Sequence, residues 1–141
     1  MKISCGIIIR FNNKLLLCHP TNASKTNRYS FPKGTINDDE SLIECAIREC
    51  FEEVGIKINE TSISSHYVVN YTKKNTAKIV KQVNLFLVDI ESLAEIRLQT
   101  EVIPKKQLQL DEIDWAGFLN KKECDLKAFW RFKPIINELL D

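Results

Sequence analysis

The sequence predicts an α/β sandwich, on three observations. Continuous apolar runs at Ile7-Ile8-Ile9 and Leu15-Leu16-Leu17, and a segment from Gln82 to Ile90 with Val83, Leu85 and Leu87 on one face and Phe86, Val88 and Ile90 on the other, have the composition of strands buried on both faces. Tyr67, Val69 and Tyr71 alternate with polar neighbours, as a strand with one wet face does. Helical periodicity appears in the middle and at the end of the chain, so strands and helices are interleaved. The 141 residues are expected to form one domain, residues 1–141, large enough for a core without covalent staples.

Taken in order, residues 3–18 read as a β-hairpin, because Asn12-Asn13 between the two apolar runs tolerates the left-handed conformations of a tight turn. The polar segment His19 to Ser30, with Pro20, Asn22, Ser24 and Asn27, reads as a loop entering the site. A helix is predicted over about 40–54, with Asn37, Asp38 and Asp39 as N-cap candidates and Gly55 as its C-terminal stop. Ile43, Ile47, Cys50 and Val54 form its apolar stripe. A strand over about 66–72 and a central strand from Gln82 to Ile90, apolar on both faces, enclose a polar connection carrying Lys73, Lys74, Lys78 and Lys81. A short strand is expected at Trp115 to Leu119. Leu126, Phe129 and Trp130 suggest a helix interrupted near Pro134, which starts a last set of turns with Ile135, Ile136, Leu139 and Leu140.

A formal net charge of +1 leaves no global attraction to polyanions, so any such binding must come from a local patch. The five cysteines are an odd number without a Cys-X-X-Cys pair and read as reduced, cytoplasmic thiols. The apolar run Ile3 to Ile9 is short, ends at Arg10 and lacks a small-residue cleavage site, which makes it a strand and not a targeting segment. No run approaches a membrane span, and no membrane partner is expected.

The chemistry concentrates in Arg48-Glu49-Cys50-Phe51-Glu52-Glu53-Val54-Gly55-Ile56. Glu49, Glu52 and Glu53 stand at i, i+3 and i+4, an arc of about 100° on one helix face. Like charges at that spacing repel by roughly 0.2–0.5 kcal/mol per pair. A divalent cation would relieve them, and a set of hard oxygen donors without accompanying His or Cys suits Mg²⁺ or Mn²⁺ rather than zinc. The plain alternative is a solvated acidic face.

Gly34, Glu40, Arg48, Glu49, Glu52, Glu53, Gly55 and Ile56 fill every fixed position of a motif that resembles the signature of the Nudix hydrolases. Cys50 replaces the usual aliphatic residue after Glu49, a change that a buried thiol tolerates. The resemblance implies an α/β/α sandwich with a mixed central sheet and a catalytic helix after a loop. It also implies metal ligation by Glu49, Glu52, Glu53 and the Gly34 carbonyl. Arg48 would orient a ligating carboxylate, and Glu40 would stabilise the helix N-terminus or join the Arg48 network, two roles that are compatible.

Tyr29-Ser-Phe-Pro-Lys-Gly34 looks like the Trp-X-Phe-Pro-Lys-Gly entry of Nudix enzymes acting on dinucleoside polyphosphates, inositol pyrophosphates and RNA 5′ ends, with Tyr29 in place of the tryptophan. Substrate-binding candidates are therefore Lys33, as a point cation for phosphate, and Tyr29. Lys74 and Lys78 are added from the lysine-rich connection, whose alternative is a solvated loop. Phe31 is expected in the core. Tyr67 and Tyr71 are base-stacking or core residues. His19 and His66 lack a nucleophile partner and are not expected to be catalytic. A further acid, expected from the family late in the chain, has Glu101, Asp111 and Glu112 as candidates.

The expected reaction is Mg²⁺- or Mn²⁺-dependent hydrolysis of a pyrophosphate linkage in a nucleotide substrate, a dinucleoside polyphosphate or an RNA 5′ end first. Damaged nucleoside triphosphates and nucleotide sugars are the alternatives. The rival of another class is a nucleotide-sensing module that does not hydrolyse.

Overall fold

The computed structural model describes residues 1–141 and resolves the expected hairpin into β1 (Lys2–Phe11) and β2 (Lys14–Pro20). Asn12 and Asn13 both take positive φ, 51° and 57°, the conformation that a two-residue turn matched to strand twist requires. Beyond Leu15 the two strands part, and the chain from Tyr29 to Gly34 enters the opening. Ser30 pairs with Cys18 of β2, Ile7 of β1 donates to the Pro32 carbonyl at 3.1 Å, and β3 (Lys33–Thr35) lies antiparallel on β1, with Gly34 opposite Cys5. This wedge places the Pro32-Lys33-Gly34 end of the entry motif over the middle of the sheet.

The crossing is close at Gly6. A Cβ there would stand 2.4 Å from the Pro32 carbonyl oxygen and 2.6 Å from Lys33 Cβ. Gly6→Ala is therefore expected to lower stability by about 1–3 kcal/mol, the cost of overpacking where backbone must yield. Urea unfolding monitored by tryptophan fluorescence measures it, and an unchanged midpoint would show that the wedge is loosely held.

β4 (Ile63–Thr72), β5 (Ile79–Asp89) and β6 (Ile113–Leu119) complete the sheet in the order β4-β5-β1-β2-β6, with β3 also on β1. The β1–β5 pair is parallel and the others antiparallel, so the sheet is mixed. As expected, β5 lies between two strands, although it and β4 both begin three residues earlier than the sequence pattern suggested.

One face of the sheet packs on α1 (Leu42–Val54) through Cys45, Ala46, Cys50 and Val54. The other packs on α2 (Lys121–Lys127) and α3 (Lys133–Leu139) through Cys124, Phe132, Ile136 and Leu139. The result is an α/β/α sandwich. All five cysteines are free and buried in these two layers. No helix is long and apolar enough to cross a membrane.

Three local expectations are corrected. The N-cap of α1 is Ser41, not Asn37, Asp38 or Asp39. Ser41 Oγ accepts from the Glu44 N–H at 3.1 Å and Glu44 Oε1 accepts from the Ser41 N–H at 2.8 Å, and this reciprocal box outcompetes a single cap. The supposed loop begins later than His19, because β2 continues through Pro20 against β6. The helix expected around Leu126 to Trp130 ends at Lys127, where Ala128 bridges Tyr29 and a 3₁₀ turn, Trp130–Phe132, leads into α3 with Pro134 in its first turn.

Candidate active site

α1 delivers Glu49, Glu52 and Glu53 to the end of β3. Gly55, at φ 69°, stops the helix one residue after Val54. Arg48 is the hub of the carboxylates. Its Nε donates to Glu40 Oε2 at 2.5 Å and its Nη2 to Glu40 Oε1 at 2.9 Å, a two-point pairing, while Nη1 donates to Glu49 at 2.9 Å and to Glu52 at 3.1 Å. Nη2 also reaches the Thr35 carbonyl at 3.2 Å, which ties the helix to β3. The Arg48 hydrogen bonds hold the Glu40 carboxyl below its ordinary range, and Glu40 in turn raises Arg48. Of the two roles open to Glu40, the geometry therefore shows the Arg48 network, with a second contact to the Asn37 N–H at 2.9 Å.

Gly34 is required by space. A Cβ there would stand 2.2 Å from Glu49 Cδ and Oε2, so the Glu49 carboxylate lies directly over the Gly34 backbone. Cys45 Sγ donates to the Gly34 carbonyl at 3.6 Å. Burial pushes the Glu49 carboxyl up, against the opposing pull of Arg48. Glu53 is the most enclosed of the three, at 9 % exposure, and accepts the Lys33 backbone N–H at 3.1 Å. Burial first, then the neighbouring charges of Glu49 and Glu112, push its carboxyl up to about 8, while Lys33 works the other way.

As they stand, the acidic groups are not gathered into a cluster of three or more able to hold a metal ion. Glu49 and Glu52 are turned to Arg48, and Glu53 to Lys33. The donor chemistry nevertheless fits a hard divalent cation: carboxylate oxygens and one backbone carbonyl, on a helical turn and an adjacent strand. Glu53, desolvated beside two other acids, is the group whose charge such an ion would compensate.

Glu112 is the one late acid whose charge reaches Glu53. Its turn is anchored to the end of α1 by the Gln109 N–H, which donates to the Glu53 carbonyl at 3.0 Å. Glu101 is engaged elsewhere, paired with Lys14 at 2.8 Å, and Asp111 is exposed on the turn.

Lys33 connects the carboxylates to a cleft on the other face of the sheet. A space of about 230 Å³ is lined by Pro20, Ala23, Arg28, Lys33, Tyr71 and Phe129, among others. Lys81 stands two residues before core residue Val83, and Lys2 opposite Lys81 in the parallel register, so both face this side. Lys81 Nζ sits over the Tyr71 ring at 5.1 Å. Burial lowers both Lys33 and Lys81, the latter to about 8, with Lys33 and Lys2 adding repulsion at Lys81. Crowded, partly desolvated cations of this kind are stabilised by an anion. A larger groove of about 680 Å³ beside Phe51, Lys57 and Arg97 is lined by none of Glu49, Glu52 and Glu53.

Among the substrate-binding candidates, Lys33 is at the junction of site and cleft. Tyr29 is in the core, 6 % exposed, against His19 at 4.9 Å and Trp115 at 6.0 Å, so its ring is a wall and not a free stacking surface. Lys74 and Lys78 are on the exposed β4–β5 turn, and the lysine of that group which reaches Lys33 is Lys81. Sequence reasoning put Tyr71 on a strand and Lys81 in the connection after it without bringing them to one site, and did not single out Lys2, Arg28 or Phe129 for it. Phe31 is in the core, as expected.

Neither histidine has a nucleophile to activate. His66, exposed on β4, contacts Asn84 Oδ1 at 2.9 Å and stacks on Phe86. His19, buried, meets Asp114 at 2.6 Å and the carbonyls of Ala23 and Ser24 at 3.1 and 3.0 Å. It thereby fastens the loop that walls the cleft.

A carboxylate-bearing helical turn is thus seated against a β-strand of an α/β/α sandwich, with a cationic cleft behind it. The NUDIX domain model matches residues 2–127, and the chain belongs to that family. It is 28% identical over 106 residues to mRNA decapping complex subunit 2 of Schizosaccharomyces pombe, covering 75% of this chain and 12% of that protein. It is also 28% identical over 129 residues to RNA pyrophosphohydrolase of Pasteurella multocida, covering 78% of this chain and 63% of that protein. The chain thus spans only a small part of the decapping relative. Among solved structures, a C. elegans Ap4A hydrolase complex superposes with a TM-score of 0.69 at 17% identity, over 98% of this chain and 94% of the other. A MutT NUDIX hydrolase from Burkholderia pseudomallei gives 0.68 at 17% identity, over 99% and 98%.

Proposed function

We propose that the protein hydrolyses a pyrophosphate linkage in a nucleotide carrying a polyphosphate chain, with a dinucleoside polyphosphate or an RNA 5′ end as the favoured substrate. The observation that carries this reading is the double role of Lys33: its backbone N–H holds Glu53 at the acidic site, while its side chain lines the cationic cleft with Tyr71. A phosphate chain in the cleft would therefore end beside the carboxylates. The similarity to an RNA pyrophosphohydrolase and to an Ap4A hydrolase supports the same substrate class.

Glu49, Glu52, Glu53 and the Gly34 carbonyl are the residues to hold Mg²⁺, with Mn²⁺ able to substitute. Bound there, such an ion would lower the pKa of the attacking water and offset charge on the phosphate oxygens. The water oxygen bonds to phosphorus as the bond from that phosphorus to the bridging oxygen breaks, the bridging oxygen leaves with the departing phosphate, and the proton that the water loses passes to a carboxylate of the site and on to solvent. Arg48 fixes Glu49 and Glu52 in orientation, and Glu40 fixes Arg48. Lys33 and Lys81 hold the polyphosphate chain by charge, in the ground state and the transition state alike. Glu112 is the candidate for the additional acid.

Arg48 already neutralises two of the three helix acids, an arrangement that also suits a nucleotide-sensing module without turnover. Chromatographic detection of the hydrolysis products from a panel of dinucleoside polyphosphates, 5′-triphosphorylated RNA, nucleoside triphosphates and nucleotide sugars separates the two. Turnover that needs Mg²⁺ and stops in chelator is expected. Saturable binding without turnover on every member would establish the sensing module. Lys81→Ala is expected to raise KM for a long polyphosphate by about tenfold, the order of one charge-assisted hydrogen bond, with little change in kcat. An unchanged KM would remove Lys81 from the phosphate path.

A further inference from the structure

The cleft is continued on its outer side by a stack of side chains that hydrolysis does not use. The guanidinium carbon of Arg131 lies 4.9 Å from the centre of the Tyr71 ring and 4.3 Å from that of Trp130, so a planar cation is set against two aromatic rings. Arg131 Nη1 donates to the Asn70 carbonyl at 3.3 Å, which holds the plane in place. Phe129, a wall of the cleft, packs on Tyr71 at 5.7 Å and on Trp130 at 5.8 Å. Tyr71 also borders the cleft, so the series Tyr71, Arg131, Trp130 begins at the cleft wall and ends at a residue outside its lining.

Trp130 is 56% exposed on a 3₁₀ turn whose other aromatic, Phe132, is buried at 1%. The turn is fixed by the core, yet it presents an indole to solvent. An exposed indole beside a guanidinium plane and a lysine suits single-stranded polynucleotide: bases of any sequence stack on the open side of Trp130, Tyr71 backs the Arg131 plane, and Lys81 and Arg131 meet the backbone phosphates. A free polyphosphate would use the cations alone and would have no use for the outer ring.

We propose that Tyr71, Arg131 and Trp130 form a second subsite that holds the first nucleotides of a single-stranded RNA whose 5′ polyphosphate lies in the cleft. This rests on the hydrolase reading above and narrows it, since it makes the RNA 5′ end, with its attached chain, the preferred substrate over a free nucleotide.

The test is a length series of 5′-triphosphorylated RNA, from a single nucleotide to a hexamer. KM is measured with Mg²⁺, and affinity is measured by fluorescence anisotropy of a 3′-labelled strand in Ca²⁺. Base stacking predicts that KM and the dissociation constant both fall by about tenfold or more between the ends of the series. Trp130→Ala should cancel that gain for the hexamer while leaving the single nucleotide and a dinucleoside tetraphosphate unchanged. Arg131→Lys keeps the charge and removes the planar stack, so it too should flatten the length dependence. Values independent of length overturn the subsite, as does a Trp130→Ala effect equal for the hexamer and the dinucleoside tetraphosphate. If no member of the series is turned over, the hydrolase reading fails, and anisotropy still decides the subsite. Length-dependent affinity that Trp130→Ala abolishes supports it, and length-independent affinity rejects it.

Discussion

Glu53→Gln is expected to lower kcat by roughly three orders of magnitude while the fold is kept, because loss of one ligating carboxylate removes several kcal/mol of transition-state stabilisation and each 1.36 kcal/mol is about tenfold in rate. Glu53 is the buried member of the trio, and its position is set by the Lys33 N–H. Glutamine can still accept that hydrogen bond but carries no charge to offer a cation. The effect should therefore fall on kcat and spare the circular dichroism spectrum. Single-turnover kinetics with Mg²⁺ checks it, alongside the Glu52→Gln, Glu53→Gln double variant. Near-full turnover in a folded double variant would end the account of a metal held on α1.

Stability of the metal-free protein should fall as pH rises. The Glu53 carboxyl sits at about 8 in the folded chain against an ordinary value near 4.5. Below the ordinary value both folded and unfolded chains hold the proton, and stability is at its full value. Between the two values the unfolded chain releases a proton that the folded chain retains, so stability declines, and it levels off above the folded value. The total is on the order of a few kcal/mol, since one pKa unit is worth about 1.4 kcal/mol. Glu49, raised by burial, acts in the same direction. Glu40, lowered chiefly by its Arg48 hydrogen bonds, acts oppositely, and its contribution is lost as pH falls through its folded value.

Thermal melts in chelator should thus give a lower Tm near pH 9 than near pH 6 for the parent, and a flatter profile for Glu53→Gln, more stable than the parent on the alkaline side. Mg²⁺ binding to the folded state alone should raise the parent's Tm more than the variant's. Equal Mg²⁺ responses would count against Glu53 as a ligand.

The features read correctly from sequence are those encoded locally. The Asn12-Asn13 turn, the stripe Cys50 and Val54 and the Gly55 stop each depend on neighbours within a few residues, whereas Glu49 and Glu52 turn to Arg48 and Glu53 to Lys33, a division that the helical spacing alone does not show. Ser41-X-X-Glu44 was equally local, yet three better-known capping residues just ahead of it obscured the start of α1. The cleft was not legible because it is made by pairing at long range. Lys2 meets Lys81 only through the parallel β1–β5 register, and Tyr71 reaches Lys81 only across β4–β5. Tyr29 looked like an entry residue by its place in the motif, but the wedge between β1 and β2 carries it into the core. Glu112 could not be chosen among the late acids, because what places it is the backbone bond from Gln109 to Glu53.

The central claim is that the acidic turn of α1 and the Gly34 carbonyl hold a divalent cation. Electron paramagnetic resonance of Mn²⁺, titrated with the substrate-free protein near pH 8, tests it without reference to any substrate. The account predicts that parent protein removes the free-ion signal saturably and that Glu53→Gln weakens this binding by about tenfold or more, the order expected for loss of a charged ligand. Equal Mn²⁺ binding by parent and Glu53→Gln, or no binding by either, would contradict it.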